Sequence, residues 1–266
     1  MEALPISIVI PVLDDAARLR RLLGDLQRLR PARLKSEPEA ARPNEARTGP
    51  AAEIIVVDGG SRDDSVAVAK GAGVRVLERR RGRGLQLDEG ARAASCDWLW
   101  FLHADSGVSR EVLDAMYRVT ERRPAWGRFD VRLPGAPLLR LTARAMNRRS
   151  AITGICTGDQ GMFVHRTLLD AVGGVPRQPL MEDIELSKRL RRIGRPQRIR
   201  TPIRASARRW RTHGVLRTML RMWWFRIRYF CGARPDALDR NYYGRFAKSP
   251  SELVAGQDDL DRKSHG

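Results

Sequence analysis

At 266 residues with 42% hydrophobic content, the chain has room for one large domain, with at most a small appendage, around a sizeable core. Its 50 Lys and Arg against 31 Asp and Glu give a formal net charge of +19, a balance that suits a phosphate-bearing substrate, an anionic membrane surface or nucleic acid. Three scattered cysteines exclude a disulfide framework and a regular metal spacing, and no apolar run approaches the ~20 residues of a membrane span.

Arg far outnumbers Lys, so the charge reads either as functional or as the bias of a GC-rich genome. The opening "MEALPISIVIPVL" has no basic leader and carries two prolines, which is no pattern for a signal peptide. A cytoplasmic location is expected.

"PISIVIPV" reads as a buried strand, followed by a helix from about Asp14 to Arg30. The stretch 31–50, with four prolines and no apolar period, reads as a flexible insertion. "AEIIVVD" is a second strand and "SRDDSVAVAKGAG" a short helix closed by glycine. "VRVLE" and the helix in "GRGLQLDEGARAA" follow, then "DWLWFLHAD" and the helix "SREVLDAMYRVTER". This alternation predicts an α/β fold with a Rossmann-like, doubly wound, mostly parallel sheet. Beyond Pro124, "WGRFDVRL" and "GMFVHR" read as strands with a helix near Leu138 to Arg149 between them. "MEDIELSKRLRRIG" reads as a helix ended by Gly194 and Pro196. A helical segment spans 214–232, and 233–266 reads as a polar tail.

Ligands of an open parallel sheet bind beyond the carboxyl ends of its strands. Three strands end on acidic residues there: Asp14 and Asp15 after the first, Asp58 at the end of the second, and Asp105 after "FLHA". Asp14, Asp15 and Asp105 read equally as helix caps, whereas Asp58 is followed by two glycines that let backbone approach a ligand. No G-x-G-x-x-G follows the first strand and no Walker lysine loop is present, so hydride transfer and P-loop chemistry fit poorly.

In "SIVIPVLDDA", "EIIVVDGGSRDDS", "RGRGLQLDEGA", "FLHADS", "TGDQGMFVHR" and "MEDIELSKRLRR", the chain resembles family 2 glycosyltransferases of the GT-A fold. More narrowly, "GDQGMFV", "MEDIEL" and "SARRWRTHGVLRTML" are similar to a bacterial subgroup of radical-SAM/selenodomain-associated glycosyltransferases, a neighbourhood shared with carotenoid-acid (diaponeurosporenoate) glycosyltransferases. The resemblance covers Pro5 to Gly232. It implies a nucleotide-diphosphate sugar donor, with Pro11, Asp14 and Asp58 at the nucleotide. Arg83 and Gly84 would lie along the diphosphate, and Arg209 and Trp210 near the diphosphate and acceptor. Asp105 matches the last acidic residue of the family's D-x-D motif, and Asp183 the general base of inverting members. Two departures stand out: His103 replaces the first Asp of D-x-D, and Ser206 stands where a longer motif has Gln.

Mg²⁺ or Mn²⁺ bridging the two phosphates would offset charge on the leaving group, and Mg²⁺ is satisfied by one or two carboxylates with water and phosphate. Asp105 is the expected ligand, and His213 either a second one or structural. Asp183, with Glu182 at the start of its helix, is favoured as base over Asp159. Asp159, Gln160 and Glu182 fall on the acceptor side of this reading.

In "GVLRTMLRMWWFRIRYFCG", Leu216, Met219, Leu220, Trp223, Ile227 and Phe230 share one face. Arg217, Arg221 and Arg228 share another, and Arg226 falls outside that stripe. The segment reads either as a core helix or as an interfacial helix at the inner face of a membrane, which would make the acceptor a lipid or isoprenoid. A basic nucleic-acid- or membrane-binding protein on a degenerate, non-catalytic GT-A fold is the alternative. On the favoured reading no nucleic acid partner is expected.

Overall fold

The computed structural model describes residues 6–29, 52–235, 237, 238 and 241, with the side chains of Arg209, Arg211, His213 and Leu216 outside that description. The predicted insertion at 31–50 and the tail beyond 241 fall outside it too. Its strands are β1 (Ile6–Val12), β2 (Glu53–Asp58), β3 (Arg75–Glu78), β4 (Trp98–Phe101), β5 (Trp126–Arg132), β6 (Phe163–His165) and β7 (Gln197–Arg204). The helices are α1 (Ala16–Leu29), α2 (Ser65–Gly71), α3 (Arg83–Ala93), α4 (Arg110–Thr120), α5 (Pro137–Thr153), α6 (Arg166–Ala171), α7 (Glu182–Leu190), α8 (Arg208–His213) and α9 (Val215–Phe230).

The strands form one sheet in the order β3-β2-β1-β4-β6-β5-β7, parallel except where β6 pairs antiparallel with β4 and β5. This is the expected α/β architecture. Side chains alternate across it because strand residues point to opposite faces. Ile6, Ile8, Ile10 and Val12 pack with Leu19, Leu22, Leu23 and Leu26 of α1, spaced to share one helix face. Val9, Ile55, Val57 and Leu99 pack on the opposite face with Leu87 and Ala91 of α3. Burial on both faces explains the unbroken apolar runs of β1 and β2. Each such side chain contributes about 1.5–3 kcal/mol.

Pro11 lies in the central strand β1, opposite Val57 of β2. Pairing of β1 with β4 ends at Val9, so the missing proline N–H interrupts no ladder on that side. The strand β7 was not expected from the sequence. It alternates exposed Arg198, Arg200, Pro202 and Arg204 with more buried Ile199, Thr201 and Ile203, and among the described strands pairs with β5 alone, across an irregularity at Phe129/Asp130, with Arg204 also bridging Gly107. Pro202 is tolerated because β7 is an edge strand. The short α6 and α8 were also not anticipated. Past α9, Leu238 is fully buried against Leu180 and Phe225.

Within β5, the buried Arg128 ion-pairs with Asp130, which also takes two hydrogen bonds from Arg198 of β7, at 2.9 and 2.8 Å. Burial works to raise the Asp130 carboxyl, but Arg198 and Arg128 outweigh it and hold it below the ordinary carboxylate range. A depressed acid stabilises the fold above its unfolded-state value and loses that contribution as pH falls through the folded one. Asp130→Asn is therefore expected to lower stability by about 3 kcal/mol near neutral pH, because it leaves a buried guanidinium without its partner. The gap to wild type should close as pH falls from about 5 towards 2. Denaturant melts across that range would show it, and a constant gap would refute the assignment.

Candidate active site

The order of strands reverses at β1 and β4, and the carboxyl edge there is where ligands of such sheets bind. Because β6 runs antiparallel, its amino end reaches the same edge and brings with it the 3-10 turn Gly158–Gln160.

The loops after β1 and β2 are stitched together by their own carboxylates. Asp58 is only 2% exposed and accepts hydrogen bonds from the N–H groups of Gly60 (2.8 Å) and Ser61 (2.9 Å) and from the Ser61 hydroxyl. Asp14 sits at φ 51°, a left-handed conformation that Asp tolerates better than most residues. Its N–H donates to Ser61 Oγ and its carboxylate accepts from Arg62 N–H at 2.7 Å. Asp63 accepts from Ala16 N–H (2.9 Å) and Ser65 N–H (3.0 Å), serving the first turn of both α1 and α2. Asp58, Gly60 and Ser61 line a shallow groove beside Arg79 and Arg80.

A second cavity, of about 160 Å³, opens at the ends of β4 and β6 and is covered by the C-terminal segment. His103, Asp105 and Asp159 line it on one side, and Asp183 at the first turn of α7 on another. Met181 precedes that helix at φ 64°, a strained conformation for a bulky side chain and of the kind that gathers at functional sites. Asp183 is anchored by two N–H donors: Gly158 to Oδ2 at 2.9 Å, and Ile184 to Oδ1 at 2.8 Å. A carboxylate offers about four lone-pair positions, so acceptor capacity remains on both oxygens. His103 Nδ1 lies 3.3 Å from Asp159 Oδ1, and its ring lies flush against Gly158. A Cβ at Gly158 would come within 2.2 Å of His103 Nε2, so only glycine fits there without moving the ring.

Arg83, Trp210, Ser206 and Arg208 also line this cavity. Glu182 points away from it, only 1% exposed and ion-paired with Arg83. Burial pushes its carboxyl upward, Arg83 opposes that rise, and the adjacent Asp183 adds to it. Gly84 is buried in the first turn of α3; a Cβ there would strike the backbone oxygens of Pro176 and Gln178. Gln160 is fully buried behind the 3-10 turn, where its side chain accepts from Thr157 N–H at 3.1 Å. The structure thus brings Arg83, Asp105, Asp159, Asp183 and Trp210 to one cavity. Asp14 and Asp58 lie on the neighbouring rim, and Pro11, Gly84, Gln160 and Glu182 stand behind the surface. The candidate contacts of Arg209 and His213 fall on side chains outside the described residues.

Two charged residues of the cavity lining escaped the sequence reading. Arg208 stands one position before the arginine singled out. Arg226 of α9 faces inward with Met222 and Phe225, and its sequence signal was its position off the helix's basic stripe. No group of three or more metal-ligating side chains that could hold an ion by itself occurs among the described residues. Asp105, a hard oxygen donor lining the cavity, fits Mg²⁺ or Mn²⁺ that arrives already carrying phosphate and water oxygens.

Sheet order and site position together define a GT-A-type α/β fold. The model of the family described as "Glycosyl transferase family 2" matches residues 7–167, more than half the chain, and the chain belongs to that family. Among solved structures, the chain is similar to the mannosyltransferase PcManGT of Pyrobaculum calidifontis, a complex with GDP-Man and Mn²⁺ (16% identity, 96% of this chain and 79% of that one, TM-score 0.56). It is likewise similar to residues 1–349 of S. aureus TarS in complex with UDP-GlcNAc (16% identity, 76% and 58%, TM-score 0.55). A third likeness is to glucosyl-3-phosphoglycerate synthase of Mycobacterium tuberculosis with Mn²⁺, UDP and glucosyl-3-phosphoglycerate (19% identity, 76% and 70%, TM-score 0.51). The match spans 37% of a longer TarS structure.

The Gly158–Asp183 hydrogen bond ties the 3-10 turn to α7. Asp183→Ala should cost about 1–2 kcal/mol by leaving that N–H without its acceptor. For a chain of this size the melting temperature would fall by about 3–6 °C. Asp183→Asn, which keeps one acceptor oxygen for the two N–H groups, should recover about half of it. Equal melting temperatures for wild type and Asp183→Ala would show that the turn stands without this bond.

Proposed function

We propose that this chain is a metal-dependent, inverting glycosyltransferase that moves a hexosyl group from a nucleotide-diphosphate sugar to a lipid or isoprenoid hydroxyl. The observation that carries the reading is Asp183, held by two backbone N–H groups in the same cavity as Asp105. In this reading the nucleoside lies along the rim at Asp14, Asp58 and Arg79, and Arg83 and Arg208 meet the diphosphate. Asp105 would hold Mg²⁺ or Mn²⁺, with His213 as a further candidate ligand, and such an ion would supply positive charge against the departing phosphate. The acceptor hydroxyl passes its proton to an oxygen of Asp183 as its own oxygen bonds to the anomeric carbon. The bond from that carbon to the diphosphate oxygen breaks, and the nucleoside diphosphate leaves with the electron pair. One base suffices for such a transfer, whereas a hydrolase needs carboxylates on both sides of the sugar. The radical-SAM-associated subgroup remains the nearest reading of the sequence motifs.

The lipid part of the reading is supported by α9. Leu220 (72% exposed), Trp223 (60%), Trp224, Ile227 and Phe230 form an outward apolar face on a helix with Arg217, Arg221 and Arg228 and no acidic residue. Such a helix lies in the headgroup region of an anionic bilayer. No helix among the described residues is long and apolar enough to cross a membrane.

Thermal shift with UDP-, GDP- and dTDP-sugars, each with Mn²⁺ or EDTA, tests the donor site. One donor should raise the melting temperature by about 5–10 °C at a hundredfold excess over its dissociation constant, and only with metal. Asp105→Ala should lose this shift. Asp183→Asn should keep it while transfer falls about 10²–10⁴-fold. No shift from any donor would end the reading.

A separate vesicle co-sedimentation assay tests the helix. Phosphatidylglycerol-containing vesicles should retain wild type, and a Trp223→Ala, Trp224→Ala double variant should bind at least about tenfold less. Equal binding of the two proteins would remove the membrane role of α9.

A further inference from the structure

Two arginines beside Asp183 have no task in the donor reading. Arg149 of α5 has Nε and Nη2 sequestered from solvent with no hydrogen-bond partner. Burial brings its value down to about 10, with the charge of Arg226 adding to the fall and that of Asp183 opposing it. Arg226 reaches inward from α9 to line the cavity and is likewise pushed down by burial, with Asp183 and Asp159 as its opposing charges. The positive charge of Arg128 bears on Arg149 from below, but Arg128 is already committed to Asp130, Phe129 O and Asn147 O.

The carboxylates whose charges reach this pair have other neighbours. Asp183 Oδ2 and Oδ1 each take a backbone N–H, and Asp159 Oδ1 faces His103. No hydrogen bond or ion pair joins the Arg226 guanidinium to another described residue. Buried polar groups in native structures are nearly always hydrogen-bonded, and buried guanidinium groups are normally paired. The sequestered Nε and Nη2 of Arg149 break that rule, and the half-buried Arg226, whose charge bears on Arg149, opens into the cavity, so that the two are set to receive an anion with several acceptor oxygens. The planar guanidinium fork matches a carboxylate or phosphate in two-point contact.

Resting on the glycosyltransferase reading above, we infer that the acceptor is itself anionic, with a phosphate or carboxylate group near the hydroxyl it presents, and that Arg226, backed by Arg149, binds that group. Location favours the acceptor over the donor. The donor diphosphate has Arg83 and Asp105 on the β4 side, whereas Arg226 shares its electrostatic surroundings with the base Asp183. An anion seated there would orient the neighbouring hydroxyl toward Asp183. It would also offset the unpaired positive charge behind that carboxylate.

The test is calorimetric titration of the full chain, preloaded with Mg²⁺ and the nucleoside diphosphate of whichever donor it binds. Inorganic phosphate and acetate are the probes, and glycerol is the neutral control. Occupying the diphosphate site first confines the probe to the remaining cavity. The expected result is saturable one-to-one binding of phosphate, of acetate, or of both, with glycerol silent; which anion binds assigns the group. Arg226→Gln should weaken it about tenfold or more, as the loss of a charge-assisted two-point contact does, with nucleotide affinity unchanged.

Should Arg226→Gln not fold, Arg226→Lys keeps the charge without the fork, and phosphate affinity should still fall about threefold. The inference is overturned if neither anion binds the nucleotide-loaded protein, or if the variants bind it as well as wild type. It is also overturned if nucleotide affinity falls in parallel, which would give Arg226 to the donor. A donor that binds only when its sugar carries a carboxylate, and loses this in Arg226→Gln, likewise moves the anion to the donor. Failure of any nucleotide to bind is a different result, and removes the donor site on which the inference rests.

Discussion

A hydrogen bond from Gly158 N–H to the Asp183 carboxylate, at 2.9 Å, joins the turn before β6 to the start of α7, and one from Cys156 N–H to Ser187 Oγ, at 3.0 Å, adds a second tie. Gly158 belongs to the turn leading into β6, and Asp183 to the first turn of α7. On its other side Gly158 is covered by the ring of His103, at the end of β4. Three segments distant in sequence are thus fixed at one point. The absence of a side chain on Gly158 is what lets the ring come close. The flat ring of His103, which also contacts Asp159, fills the space over this glycine. The floor of the cavity is therefore set by sterics, and Asp105, two residues on from His103, takes its position from it.

Charge is distributed unevenly around that point. Carboxylates gather on the floor at Asp105, Asp159 and Asp183, while the covering segment brings Arg208 and Arg226 and the adjoining helix brings Arg83. Acidic groups held this close would repel each other without the facing cations. A ligand carrying phosphates and a divalent ion presents both signs, and so has complementary charge on each side of the cavity. Burial raises the potential of each group, since effective dielectric falls away from water. The formal charge of +19 is mostly a property of the outer surface. Of the arginines lining the cavity, Arg208 is exposed, and Arg83 and Arg226 are half-buried.

Much of the fold was legible because its central strands are buried on both faces and so read as unbroken apolar runs, as in "SIVIPV" and "IIVV". The edge strand β7 was not, although Ile199, Thr201 and Ile203 alternate, because the arginines and Pro202 between them look like loop composition. The carboxylates at strand ends stood out for a similar reason, since an acidic residue directly after an apolar run is conspicuous. What they bind did not stand out. Asp58 spends its oxygens on Gly60 and Ser61, a local turn that two glycines in sequence make readable only in hindsight. Glu182 reads like an exposed first-turn acid, yet it is buried against Arg83, 99 positions away. Pairings over that distance are tertiary facts, and no local pattern carries them.

Helix α9 illustrates the same limit from the other side. Periodicity alone gave it an apolar face, which a core helix and a surface helix would share. The structure divides the apolar residues instead. Phe225, with the half-buried Met219 and Met222, turns inward, whereas Leu220, Trp223, Trp224, Ile227 and Phe230 remain outside. Arg226 falls between these groups and belongs to the inner one, which is why it broke the stripe formed by Arg217, Arg221 and Arg228. One helix therefore presents an apolar, cation-flanked surface to the exterior and a half-buried cation to the cavity. Any displacement of α9 along or against a surface would move Met222, Phe225 and Arg226 relative to Asp183, because they are carried on the same rigid turns. The outer apolar face and the cavity lining are thus carried on the same stretch of about four helical turns.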